Sequence, residues 1–422
     1  MSTNISTAQI TDVPTETVSG YFDAIREATR PYNSLWDKDL YGGLLLVNPN
    51  TREVFANEPD KNGALTKDGE IYKGILPYEI NIANTAIEWN GNKWAMVILP
   101  LPEDKIHRIS LLAHELFHVI QPELDFVIPG TDNGHLDTKN GRIYLRLELE
   151  ALKSSVLAQT KKDKIEHLTN ALIFRKYRNQ LFPETALAEN SLELNEGLAE
   201  YTGQTVSGLN RHENAKEHFT KNINQFVKFP TFVRSFAYQT IPVYGYLLSD
   251  IKKEWNKEIT NQTNLAEYFI KSFQIKLPND LKLAISTIES KYNAEIILSE
   301  ETEREEKNNK LIAEYRTKFV IHAHFDILLE QTSISFNPTN LISLDSLGTV
   351  YPTMRITDKW GILTVENGAL LSPKWKKVTL SEPAEITEQR ITGDGWTLEL
   401  KQGYILLKEN QNYVLIKDVE NR

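Results

Sequence analysis

The chain has 422 residues, enough for two or three domains and a sizeable core. Its 41% apolar and 25% charged residues are an ordinary globular balance, and a net charge of −10 without a basic stripe argues against nucleic acid as a partner. Cysteine is absent, which excludes disulfides, zinc–thiolate sites and cysteine nucleophiles together. No apolar run approaches the ~18 residues of a membrane span.

Residues 1–18 are rich in Ser and Thr and read as a flexible N-terminus. They lack a basic stretch followed by an apolar one, so no secretory leader is expected. A cytoplasmic location is the default, with a secreted or periplasmic one and an absent leader as the alternative. Residues 19–121 read as an α/β part. Helical spacing starts at Val18 and ends near Pro31. Short strands are expected at Tyr41–Val47, Glu53–Ala56 and Ile71–Leu76. Glu79–Trp89 and Lys93–Leu99 flank Asn90-Gly91, a two-residue hairpin signal. Pro102, Glu103 and Asp104 then open a helix at its positive end.

That helix carries His114-Glu115-Leu116-Phe117-His118, an H-E-x-x-H motif. Residues four apart share a helix face, so His114 and His118 can aim imidazole nitrogens at one point. Two neutral imidazoles suit Zn²⁺, and Glu115 is turned to reach a water there as general base. The surrounding Leu111, Leu112, Ala113, Leu116, Phe117, Val119 and Ile120 mark a helix buried almost all round. Polar side chains in such a place are costly without a use.

Residues 122–142 are rich in Gly, Asp, Asn and Pro and read as turns. Asp132 to Gly141 lacks a complete calcium-loop pattern, and His135 is a lone loop histidine near the motif. Residues 122–318 form the helical part, with helices expected at Ile143–Thr160, Lys164–Leu181, Thr185–Gly203, Glu213–Val227, Thr231–Trp255, Asn264–Phe273 and Asn279–Arg316. From residue 319 to 422, short apolar or alternating runs between Gly, Asn and Pro turns predict an all-β, sandwich-like domain. His322 and His324 lie two apart there and read as structural. The fold class is therefore α+β.

Zinc needs a third protein ligand, and without cysteine it must come from His, Asp or Glu. Asn195-Glu196-Gly197-Leu198-Ala199-Glu200-Tyr201 supplies two carboxylates four apart on a helix, with small Gly197 and Ala199 allowing close approach to the motif helix. One carboxylate can bind the metal and the other can hold a histidine's second nitrogen. Spacing alone leaves open which does which.

His114-Glu115-x-x-His118 followed by Asn195-Glu196-x-x-x-Glu200 resembles the gluzincin clan of zinc peptidases, and Glu196 to Tyr201 is similar to the matching segment of bacterial collagenases. The resemblance implies a zincin-like catalytic domain, one Zn²⁺ on His114, His118 and Glu196, Glu200 behind a histidine, and hydrolysis of peptide bonds in a peptide or protein substrate. It also implies a Tyr or His from a later helix on the oxyanion, for which Tyr238 is preferred over Tyr244 and Tyr246. An edge strand over Ile80–Glu88 would hold extended substrate, with contacts from Ala83 and Asn84. The 78 positions between His118 and Glu196 exceed the gap of many gluzincins, so no subfamily is assigned. A zinc hydrolase of non-peptide amides or esters, and a catalytically silent zincin-fold binding protein, are the alternatives.

Overall fold

The computed structural model describes residues 13–126, 133–336 and 341–418. The chain forms two compact units, Met1–Ile297 and Leu298–Arg422. The first is α+β. Helix α1 (Thr15–Thr29) precedes six strands: β1 (Leu44–Val47), β2 (Glu53–Ala56), β3 (Thr66–Asp68), β4 (Ile71–Ile75), β5 (Thr85–Trp89) and β6 (Asn92–Ile98). They form one sheet in the order β3-β4-β2-β1-β6-β5, antiparallel apart from the β1–β6 pair. Both faces of its centre are covered. Leu44, Leu46, Ala95 and Val97 join the large helical core, while the alternate residues Leu45, Val47, Trp94 and Met96 join a smaller one. The β5–β6 hairpin turns on Asn90 (φ 50°) and Gly91 (φ 82°), the left-handed pair that a two-residue turn requires.

Ten further α-helices follow among the described residues. They are α2 (Lys105–Ile120), α3 (Lys139–Leu157), α4 (Lys161–Leu181), α5 (Ala186–Leu192), α6 (Leu198–Ser207), α7 (His212–Phe226), α8 (Ala237–Ser249), α9 (Leu265–Ser272), α10 (Leu281–Ile288) and α11 (Ala294–Arg316). Asp104 caps α2 by accepting from the His107 N–H at 2.9 Å. Its apolar side, with Leu112, Ala113, Leu116 and Phe117, is buried in the large core.

Several sequence expectations are corrected. The strand expected from Glu79 begins only at Thr85, because the Asn84 side chain takes the Ile98 N–H at 2.9 Å and ends the backbone ladder. The helix expected over Thr231–Trp255 is confined to Ala237–Ser249. Asp137 captures the Phe232 N–H (2.9 Å) and the Thr231 hydroxyl (2.5 Å), fixing turns ahead of it. Asn279–Arg316 is broken at Asn293, whose φ of 57° separates α10 from α11.

The second unit carries a seven-stranded and a six-stranded sheet. Phe325, Ile327, Leu371 and Val378 from one share a core with Ile356, Leu363, Ile391 and Leu398 from the other. No described helix is long and apolar enough to cross a membrane.

Candidate metal centre

The motif helix α2 and helix α6 lie unusually close. A Cβ added to Gly203 would stand 2.5 Å from the Ser110 carbonyl oxygen, so only glycine allows this approach. Gly197, expected to make that contact, instead lies against α8, where an added Cβ would meet Ile241 at 2.5 Å. Between α5 and α6 the helix widens into a π-turn, Glu193–Gly197, closed by the Leu198 N–H on the Glu193 carbonyl. Glu196 rides on this turn, and Glu200 follows in the first turn of α6.

The result is a triangle of ligand atoms. His114 Nε2 and His118 Nε2 are 3.1 Å apart, and Glu196 Oε2 lies 3.4 Å from the first and 3.5 Å from the second. Ligands at about 2.0–2.1 Å on a tetrahedral ion are roughly 3.3 Å from one another. The three edges therefore match one face of such a tetrahedron. It is the only group of its kind among the described residues, and His322 and His324 have no part in one.

The second nitrogens fix the tautomers. His114 Nδ1 lies 3.1 Å from Glu200 Oε2, and the other oxygen of Glu200 accepts from Gln204 at 2.8 Å. His118 Nδ1 lies 2.6 Å from Gln121 Oε1. The Gln121 amide is oriented in turn, because its NH₂ donates to the Asn195 carbonyl at 2.9 Å and the Leu194 carbonyl at 3.3 Å. With acceptors at both Nδ1 atoms, both Nε2 atoms present lone pairs to the same point. Two lone pairs and a carboxylate facing one another call for a cation. Without a metal, a proton on His114 takes the cation's place: burial opposes charge there, yet the hydrogen bonds of Glu196 and Glu200 override it and raise its pKa to about 10. Burial likewise pushes Glu196 up, and the His114 and His118 bonds reverse this to well below the usual carboxylate range.

Glu115 is buried, and its Oε2 has no hydrogen-bond partner. Burial raises its pKa, against the pull of His114 and His118. Tyr238, at the start of α8, stacks on His114 with ring centroids 5.4 Å apart and planes 11° from parallel. Its hydroxyl donates to Glu196 Oε2 at 2.5 Å. Tyr244 and Tyr246 are elsewhere: the first bonds Glu148 in a buried charge network, the second faces His212. His135 is also placed outside the centre, where its Nε2 lies 2.7 Å from Glu189. Asp137, an oxygen of the weighed calcium reading, is taken up by Thr231 and Phe232, and Asp132 lies outside the described residues.

These groups line a cleft of about 780 Å³. Its walls include Asn84, Thr85 and Ala86 on one side and His218 and Asn222 of α7 on another. Strand β5 is a sheet edge. Ala86 pairs with Ala95, whose N–H goes the other way, to Gly43 at 2.8 Å, so this is a non-bonded pair and the Ala86 N–H and C=O point outward. Ala83 does not line the cleft, and the Asn84 amide oxygen is committed to Ile98. His218 accepts from Asn222 at 3.2 Å, and burial lowers its pKa to about 4.

Around Glu193 of the π-turn, five charged side chains are buried together. Arg175 bonds Glu148 at 2.6 Å and Glu193 through two nitrogens at 2.7 and 2.6 Å. Arg178 bonds Glu189 at 2.9 and 2.6 Å and Glu148 at 2.8 Å. Glu193, three residues before Glu196, also accepts from Thr240 of α8 at 2.6 Å, which ties the π-turn to the helix carrying Tyr238.

Sequence reasoning missed Gln121, His218 and the buried network. Gln121 carried a faint signal, a lone amide one turn beyond His118. No protein-family model matches the chain, and searches of curated proteins and of solved structures return no match either.

Proposed function

We propose that the chain is a zinc-dependent peptidase with a zincin-like catalytic domain. The observation that carries this reading is the triangle of His114, His118 and Glu196, with edges of 3.1, 3.4 and 3.5 Å, beside the unpartnered Oε2 of Glu115. Zinc held there would supply Lewis acidity towards a carbonyl and towards water.

The chain's own groups do the rest. Glu115 takes the proton from the attacking water and passes it to the leaving amine, a task that suits a carboxylate raised by burial. Glu200 and Gln121 hold the two Nδ1–H groups and keep both Nε2 lone pairs aimed. The Tyr238 hydroxyl, now on Glu196, is the donor in the cleft for the developing oxyanion. The outward N–H and C=O of Ala86 pair an extended substrate to the sheet edge.

The test is metal content and cleavage of an unstructured protein, read on the wild type, Glu196→Ala and Glu115→Gln. Expected are about one zinc per chain, loss of metal in Glu196→Ala, and metal without cleavage in Glu115→Gln. Full cleavage by a metal-free wild type would overturn the reading.

A further inference from the structure

A second pocket, of about 410 Å³, opens between α4, α7 and α8 and shares no residue with the cleft. Its floor is apolar: Val156, Leu168, Leu247 and Phe273 are all buried. Its rim holds Lys161, Lys164, Lys216 and His212, with Asp250 as the one acid. In a chain of net charge −10 this is a local reversal of sign. Asp250 is occupied by Lys164 at 2.9 Å. The side chains of Lys161 and Lys216 have no hydrogen bond or ion pair among the described residues. Helices α4 and α7 begin at Lys161 and His212, so both present positive ends to the same rim.

We propose that this pocket binds a small amphipathic monocarboxylate, its carboxylate between Lys161 and Lys216 and its apolar body over Leu168, Leu247 and Phe273. Three features narrow the class. The floor offers aliphatic and aromatic contact, which a bare inorganic anion would not use. Two free ammonium groups on one rim match a single carboxylate. Asp250, fixed beside them, repels a polyanion. The volume lies within the ordinary range for a small-molecule site of roughly 300–1,000 Å³.

The test is calorimetric titration of the full chain with decanoate at low ionic strength, with decanol and acetate as partial probes. Saturable uptake of one decanoate per chain is expected. Decanol, which lacks the charge, and acetate, which lacks the apolar body, should each bind about tenfold more weakly or worse. The double variant Lys161→Glu/Lys216→Glu should lose about tenfold or more in affinity. Lys161 is exposed and Lys216 half-buried, so folding of the double variant is checked by thermal unfolding, and exposed Lys401→Glu is the control expected to bind normally. No saturable uptake, decanol or acetate binding within threefold of decanoate, or a double variant no weaker than the control overturns the assignment.

Discussion

Replacing Gln121 by Leu tests how the candidate centre is held, because this side chain touches none of the three ligand atoms at the apex. The variant removes the acceptor 2.6 Å from His118 Nδ1 and the donors to the Leu194 and Asn195 carbonyls. Without that acceptor, His118 is free to put its proton on Nε2, the atom that faces His114 and Glu196. Loss of such a supporting contact typically weakens metal binding by about 10–100-fold, or roughly 1.4–2.7 kcal/mol. The two carbonyls left behind lie on or beside the π-turn carrying Glu196. An unsatisfied buried polar group costs about 1–3 kcal/mol, so apo stability should also fall. The assay is zinc competition with a chelating indicator, together with urea unfolding of the metal-free protein. An affinity within about twofold of wild type would refute the reasoning, since the tautomer would then be set by something other than Gln121.

Tyr238→Phe should still hold about one zinc per chain while turnover drops by about 10²-fold, because the oxyanion donor is lost together with its bond to Glu196; an unchanged turnover would remove Tyr238 from the mechanism. Arg178→Met should destabilise by about 3–5 kcal/mol in urea unfolding, since Glu148 and Glu189 then lose a shared buried partner; a loss under about 1 kcal/mol would refute this. His218 has its pKa lowered by burial from 6.5 to about 4. The unfolded chain therefore takes up this proton first, so His218 contributes stability that is full above about pH 6.5 and is lost as the pH falls towards 4. Comparing wild type with His218→Gln by urea unfolding at pH 7 and 4.5, the wild type should lose about 2 kcal/mol more, and equal losses would refute it.

What could be read in the sequence is what depends on local periodicity. Asn90-Gly91 announced its hairpin because only a few residues accept left-handed φ, and both do so here. The pairs His114/His118 and Glu196/Glu200 could be placed on shared faces by the four-residue spacing alone, and the structure brings both together. What could not be read depends on partners far along the chain. Arg175, Arg178, Glu148, Glu189 and Glu193 look like ordinary helix-surface residues in sequence, and nothing local says that they neutralise one another in the interior. The break before Ala237 is caused by Asp137, about a hundred positions earlier. The approach of α6 to the motif helix rests on Gly203 rather than Gly197, a choice set by packing and invisible to spacing.

The π-turn makes chain length itself a constraint at this point. A regular α-helix advances about 100° per residue, so removing one residue from Glu193–Gly197 would swing everything beyond it by that angle relative to everything before. Upstream, Glu193 faces Arg175; downstream, Glu196 and Glu200 face the histidines. One surplus residue lets a single rod serve two clients lying on different sides of it. Substitutions can drift through much of this helix, but a one-codon deletion here could satisfy only one client. Insertions and deletions should therefore be excluded from this turn more strictly than any single residue identity within it, apart from Glu193 and Glu196 themselves.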